Sequence, residues 1–267
     1  MQDPSIKVPV VTYLQKDQVS VPELELTEAK EEGSLLLKQV FQLLKDRFET
    51  LCVDVGNHGP FVEAGVSTVT EQSVFIGGSA PIFELLQVLC KACPDRFVAE
   101  EQPLLALPPS DFDLYTGSPG DDFVMFREKQ HHAIIEHNPY NVNFVRGTGV
   151  NGPSLLKNAD WNVVGMVVCL WRSLPGPWQL RSVGDIEIAP LTWHFLLKDH
   201  SKLRALPAAQ ARWASSFVRG VSKAFKLKLD LEIPRDFGSP VLGGEIFKGH
   251  IDKVMCLFFI FHDNGCY

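Results

Sequence analysis

The stretch "VFIGGSAPIFELL", from Val74 to Leu86, joins a short apolar run to a glycine turn and an amphipathic pattern. The apolar run is typical of a buried strand, and the pattern that follows it is typical of a helix. Ser79 suits the N-cap of that helix, and Pro81 falls in its first turn, where proline costs no hydrogen bond. The turn is either a tight strand-to-helix corner or a seat for an anion, because helix N-termini favour negative charge.

A pair of carboxylates follows on the next predicted strand. In "SDFDLY", Asp111, Asp113 and Tyr115 alternate with Phe112 and Leu114. Alternate residues of a strand share a face, so we expect both carboxylates to point one way and the apolar side chains to enter the core. Neighbouring carboxylates repel each other, and either exposure at a strand end or a divalent cation such as magnesium relieves that repulsion.

This order of elements resembles the signature of the nucleotidyltransferase superfamily, which has the polymerase-beta-like fold. "FIGGSA" is similar to its glycine–serine turn, and "SDFDLY" is similar to its Asp-x-Asp strand. "NVNFVRG" followed by "NADWNVVGMVV" resembles two paired strands on which a third carboxylate, here Asp160, joins the first two. The resemblance covers about residues 66–228, although a proline-rich insertion separates the turn from the Asp-x-Asp strand by more than is usual.

A later segment, "QARWASSFVRGVSKAF" at residues 210–225, resembles a helix of viral and fungal members of this superfamily. Arg212, Phe217, Arg219 and Gly220 carry that likeness, and Ser216 stands where a lysine is usual.

The resemblance implies a role for each group of residues. Three carboxylates would hold Mg²⁺ or Mn²⁺ and perform catalysis: Asp111, Asp113 and Asp160. Six residues would bind the nucleotide: Gly77, Gly78, Ser79, Arg212, Arg219 and Lys223. A second source of the third carboxylate is the pair Asp185 and Glu187, which also alternate on a strand-like stretch.

The sequence therefore predicts an α/β (α+β) nucleotidyltransferase-like fold, with a mixed sheet flanked by helices. Residues 1–65 are interpreted as an arm and a helical extension, with the helix beginning at Thr27, and residues 66–267 as the main domain. The expected activity is metal-dependent transfer of a nucleoside monophosphate from a nucleoside triphosphate to a hydroxyl of RNA, protein or a small molecule. An inactive binding or assembly module and a toxin-like enzyme acting on tRNA or protein are the alternatives.

Composition bounds the class of protein. The 267 residues are 45% apolar and 21% charged, as in a globular protein with a real core. The net charge of −7 argues against non-specific coating of nucleic acid. The N-terminus lacks a secretory-signal pattern, the apolar runs are short, and the six cysteines fit a reducing compartment. We therefore expect a soluble, cytoplasmic protein that does not contact a membrane.

Overall fold

The computed structural model describes residues 9–14, 20–55, 71–118, 124–125, 131–134, 138–211 and 213–234 of the chain. Within these residues the fold is mixed α/β, of the α+β type, as the sequence predicts. The helices are α1 (Glu23–Leu51), α2 (Ala80–Ala92), α3 (Gly152–Lys157), α4 (Pro190–Leu197), α5 (Pro207–Ala211) and α6 (Trp213–Leu227). Short 3₁₀ turns span Ala99–Glu101 and Val183–Asp185.

In the described part of the chain, ten strands form two sheets. They are β1 (Val11–Tyr13), β2 (Glu71–Gly77), β3 (Asp111–Ser118), β4 (Val124–Met125), β5 (His131–Ile134), β6 (Asn141–Thr148), β7 (Met166–Ser173), β8 (Ile186–Ile188), β9 (Lys202–Arg204) and β10 (Asp230–Ile233). The large sheet has the order β4-β6-β3-β2-β7-β8, with β5 also pairing with β6. Among the described strands of this sheet, only β3 and β6 run parallel to each other. Strand β2 is therefore central, with β3 on one side and β7 on the other.

The two faces of the large sheet differ in character. Residues at alternate positions of the strands, such as Ile76, Leu114 and Val168, are fully buried and form the main core with α1, α2 and α4. The opposite face carries Asp111 and Asp113 and is only partly covered, by α3 and the residues around it. This alternation places the polar side chains of β3 on the less covered face, as the pattern of "SDFDLY" predicts.

Helix α1 begins at Glu23, four residues before the predicted start. Its buried residues recur at helical spacing and contact the same core as the sheet: Ala29, Gly33, Leu36, Leu37, Val40, Leu44, Phe48 and Leu51. The helix packs against α2 and α4, so the N-terminal segment contributes directly to the core beneath the sheet.

A second, three-stranded parallel sheet has the order β1-β10-β9. Its first strand comes from the segment that the sequence predicts to be an extended arm. Arg204 of β9 joins β10 and the turn before β9, since its guanidinium donates to Glu232 (Nε to Oε1, 3.1 Å) and to Asp199 (Nη2 to Oδ2, 2.6 Å).

The expected pairing of "NVNFVRG" with "NADWNVVGMVV" is wrong. The first segment forms β6, which pairs with β3, β4 and β5, whereas β7 begins only at Met166 and pairs with β2 and β8. Residues 158–165 precede β7 and include an isolated bridge between Trp161 and Ala205. Strands β3 and β2 lie between β6 and β7, so the two segments cannot pair with each other.

Candidate functional site

The glycine turn and the carboxylate pair are adjacent in the structure. Strands β2 and β3 run antiparallel, and Gly77 lies directly opposite Asp113. Gly78 has φ +82°, and a Cβ built on it would lie 3.0 Å from Asp113 Oδ2. The end of β2 therefore meets the beginning of β3.

The two carboxylates occupy different environments on one face of β3. Asp111 is exposed at the start of the strand, and its Oδ1 accepts a hydrogen bond from Ser110 Oγ at 3.0 Å. Asp113 is half-buried, and its Oδ1 accepts from Asn143 Nδ2 at 2.8 Å. Between them Phe112 is fully buried in the core. The sheet therefore places both carboxylates on one face, and Asp113 reaches the glycine turn.

Helix α2 begins at this turn. Ser79 is the N-cap residue and Pro81 lies in the first turn, as predicted, but the Ser79 side chain forms no capping hydrogen bond. The Ser79 carbonyl accepts from the Phe83 N–H at 3.0 Å, which is the first bond of the helix. The N–H groups of a first helical turn have no intrahelical acceptor, and the helix dipole makes this end attractive to an anion.

Asp160 lies between α3 and β7 and is held by a cation. Its side chain is buried (9% exposed), and Arg219 donates to Oδ2 from Nε at 2.8 Å and from Nη2 at 2.5 Å. Arg219 comes from α6 and is half exposed. The third predicted carboxylate and one predicted phosphate-binding residue therefore form an ion pair with each other.

Lys223 brings a second cation of α6 to the same region. Burial lowers the pKa of its amine, and the carboxylates of Asp160 and Asp111 oppose that change. Arg219 and Lys226 lower the pKa of Lys223 further by charge repulsion. The basic face of α6 is thus within electrostatic reach of both Asp111 and Asp160. The remaining predicted phosphate ligand, Arg212, lies outside the described residues.

Helix α6 is anchored next to these carboxylates by Trp161. The indole Nε1 donates to the carbonyl of Ser216 at 2.9 Å. A Cβ on Gly220 would overlap the Trp161 ring, so the helix approaches the indole through a residue without a side chain. Because Asp160 and Trp161 are neighbours in sequence, the contact that seats the helix also sets the position of Arg219.

Asp185 and Glu187, the alternative candidates for the third carboxylate, lie in different surroundings. Asp185 ends a 3₁₀ turn and is occupied, since it accepts from Trp171 Nε1 at 2.9 Å and from the Ser182 N–H at 2.7 Å. Glu187 lies opposite Val167 in the sheet, beneath Gly152 at the start of α3. Burial raises the pKa of the Glu187 carboxyl. Three strand spacings of about 4.8 Å each separate β8 from β3, which is too far for Glu187 and Asp113 to share one ion.

Two of the three predicted carboxylates are suitable ligands for a divalent metal ion. Asp111 and Asp113 supply the hard oxygen ligands that Mg²⁺ prefers, with room at the exposed end of β3 for water and phosphate oxygens. Asp160 Oδ2 is occupied by the Arg219 guanidinium. In the part of the chain that the structure describes, no group of three or more His, Cys, Asp or Glu side chains is arranged to hold a metal ion.

Asn143 lies opposite Asp113 on β6 and is not among the predicted site residues. Asparagine has no periodic or motif signal of its own, and only the parallel register of β3 and β6 brings it to the carboxylate.

Comparisons with protein-family models, with curated proteins and with solved structures gave no match to this chain. Among the described residues, no helix combines the length and the apolar character that a membrane span requires.

Proposed function

We propose that this chain binds a nucleoside triphosphate with a divalent metal ion and transfers the nucleoside monophosphate to an acceptor hydroxyl. The observation that carries the proposal is the position of the Asp113 carboxylate at the Gly78 turn. A glycine with positive φ, a helix N-terminus and a carboxylate pair meet there. Such a site suits a phosphate chain and its counter-ion, because the N–H groups receive the phosphate and the carboxylates receive the metal.

The chemistry is an in-line displacement at the α-phosphorus. The acceptor oxygen forms a bond to this phosphorus while the bond to the bridging oxygen of the β-phosphate breaks. Pyrophosphate leaves with the electron pair of that bond, and the proton of the acceptor hydroxyl passes to a base or to water. Nothing is oxidised or reduced.

Each part of the chain has a defined task in this reaction. Asp111 and Asp113 would hold the metal, which supplies charge neutralisation for the phosphates. The N–H groups after Gly78 would bind a phosphate oxygen. Lys223 and Arg219 would supply further positive charge, since α6 lies within electrostatic reach of Asp111.

The ion pair between Asp160 and Arg219 favours a second candidate, a module that binds nucleotide or assembles with a partner but performs no transfer. Two N–H groups of the Arg219 guanidinium already occupy Asp160 Oδ2, so this oxygen is not available to take the proton of an acceptor hydroxyl. Under this candidate the triphosphate binds and stays intact.

Label transfer separates the two candidates. The purified 267-residue chain is incubated with each of the four triphosphates, labelled either at the α-phosphorus or at the γ-phosphorus, with Mg²⁺ or Mn²⁺ and with or without total RNA. Transfer predicts an α-labelled product and release of the γ label as pyrophosphate. Binding without transfer predicts triphosphate retained on a filter with neither product. The absence of both retention and product would contradict both candidates.

Asp113→Asn is the test variant for this assay, and Asp95→Asn is its matched control. Both variants remove one negative charge, but Asp95 is an exposed residue after α2, away from the turn. We expect Asp113→Asn to abolish label transfer and Asp95→Asn to retain it.

A further inference from the structure

Asn143 is a buried polar residue beside the candidate carboxylates. It lies on β6 directly opposite Asp113 and is only 8% exposed. Its Nδ2 donates to Asp113 Oδ1 at 2.8 Å. An ionised carboxylate only accepts hydrogen bonds, so this contact requires the NH₂ side of the amide and fixes which way the group faces.

The other end of the same amide has no partner. Asn143 Oδ1 is buried and accepts no hydrogen bond in the described part of the structure. A buried acceptor left unsatisfied costs about 1–3 kcal/mol, which is why such atoms are rare in native proteins. The free Oδ1 belongs to the residue that holds Asp113, so an unused oxygen lies next to the carboxylate.

We propose that Asn143 is a further ligand residue of this site, whose Oδ1 binds the divalent cation of Asp111 and Asp113, directly or through one bound water. Amide oxygens are ordinary ligands of hard cations, alongside carboxylates and water. Asn143 then supplies the third oxygen group that Asp160, engaged by Arg219, does not provide. This inference rests on the proposed function, because it assumes a cation at the carboxylate pair.

Two roles of Asn143 give different results on substitution. If Asn143 only positions Asp113, the Nδ2–H is the important group, and Asn143→Ala and Asn143→Asp both lose it. If Oδ1 binds the cation, Asn143→Asp keeps an oxygen in place and adds charge, whereas Asn143→Ala removes the oxygen. Asn141 is the matched control for removal of an amide, since it lies opposite Asp111 on the same face of β6 but is exposed.

The experiment measures binding of Mn²⁺ to the full chain by the loss of the electron paramagnetic resonance signal of free Mn²⁺. We expect Asn143→Ala to weaken binding about tenfold, the effect of one lost contact to a charged group. Asn143→Asp should bind at least as tightly as the wild type. Asn141→Ala should stay within about twofold of the wild type.

Three outcomes would overturn the inference. Equal losses in Asn143→Ala and Asn143→Asp would leave Asn143 a positioning residue for Asp113. Wild-type binding in Asn143→Ala would remove it from the site altogether. If the wild-type protein binds no Mn²⁺ with or without triphosphate, this inference and the proposed function fail together. If the wild-type protein binds Mn²⁺ and the Asn143 variants bind it equally well, the inference alone fails. Should Asn143→Ala fail to fold, Asn143→Ser replaces it, because serine keeps a polar group too short to reach the cation.

Discussion

At the scale of the residue, the candidate site depends on Gly78 and on the carboxylate that faces it. The positive φ of Gly78 disfavours residues other than glycine, because a Cβ there crowds the following peptide. The short distance to Asp113 Oδ2 adds a second constraint, since a methyl group would push on the carboxylate. Backbone conformation and metal-ligand position are thus coupled at one glycine.

Gly78→Ala tests this coupling. We expect the free energy of unfolding to fall by about 1–2 kcal/mol, the cost of an L-residue at positive φ. Triphosphate binding should weaken further, because Asp113 must move. The control is Gly184→Ala, where φ is not positive and the nearest atom, Ser182 Oγ, lies 3.4 Å from the new Cβ. Urea denaturation checks both variants, and equal stability of the two would contradict the assigned strain.

Part of the site can be predicted from local sequence, and part cannot. The alternation from Asp111 to Tyr115 predicts a strand and the face of each side chain, because a period of two is a local property. The ion pair of Asp160 with Arg219 joins residues 59 positions apart. The contact of Asn143 with Asp113 depends on a parallel register. Such non-local pairings follow from tertiary packing, which residue spacing does not reveal.

At the scale of the element, α6 determines whether cations reach the carboxylates. The helix presents Phe217, Val221 and Ala224 to the core, and its basic residues lie on another part of its surface. Trp161 fixes its position through Ser216 and Gly220.

Gly220→Ala should therefore destabilise the protein. In an exposed helix this change adds up to about 1 kcal/mol of stability, because glycine is a poor helix former. Here the methyl group overlaps the Trp161 ring, and overpacking costs about 1–3 kcal/mol. The control Val218→Ala lies on the same helix at a 47% exposed position. A Gly220→Ala variant more stable than the wild type in thermal melts would refute the packing of α6 on Trp161.

The contact between α1 and α2 includes a buried carboxylate. Glu84 is fully buried and accepts from Arg47 (Nε to Oε2, 2.6 Å; Nη2 to Oε1, 3.0 Å) and from the Tyr140 hydroxyl. The raised pKa of Arg47 reflects first its hydrogen bond to Glu84. Burial and the same carboxylate raise the pKa of Tyr140. This polar cluster joins the N-terminal helix to the helix that begins at the glycine turn.

Arg47→Met should cost about 3 kcal/mol, at the low end for breaking a buried pair because Arg47 is 35% exposed. The loss arises because the Glu84 carboxyl group stays buried but loses both hydrogen bonds from the guanidinium. Lys45→Met is the matched control, since Lys45 pairs with Glu49 on the outer side of α1 at 3.7 Å. That surface pair should contribute less than about 0.5 kcal/mol. Similar losses in the two variants by urea denaturation would rule out a structural role for the buried pair.

At the scale of the whole molecule, the core joins elements that the sequence divides into two regions. Helix α1, the large sheet and α4 contribute to one hydrophobic cluster. The interpretation of residues 1–65 as an extension follows from their helical pattern, which is local. The part that this segment takes in the core depends on contacts such as that of Gly33 with Trp193, 160 residues later. The spacing of residues along the chain does not predict such a contact.

The stability of the molecule should depend on pH through His194. Burial and then the charge of Arg204 lower its pKa below the ordinary 6.5, although Glu25 opposes them. Above pH 6.5 both folded and unfolded states are neutral at this residue. As pH falls, the unfolded state binds the proton first, so the free energy of unfolding falls until the folded-state pKa is passed.

Urea denaturation between pH 7.5 and about pH 5, the range in which an ordinary histidine titrates, measures this dependence. We expect the wild type to lose stability on acidification and His194→Gln to show a flatter profile, whatever its absolute stability. Identical slopes for the two proteins would show that His194 does not titrate differently on folding.

A thermal melt tests most directly whether the turn at Gly78 and the carboxylates of β3 bind a metal–triphosphate complex. It measures the midpoint temperature of unfolding, Tm. The full chain is heated with Mg²⁺ alone, with each triphosphate alone and with both. At a ligand concentration about one hundred times Kd, we predict a rise in Tm of about 5–10 °C for the pair together. Asp113→Asn should remove the triphosphate-dependent rise while its Tm without ligand stays near that of the wild type, and Asp95→Asn should keep the rise. No shift of the wild type with any of the four triphosphates and Mg²⁺ or Mn²⁺, or a full shift in Asp113→Asn, would contradict the account.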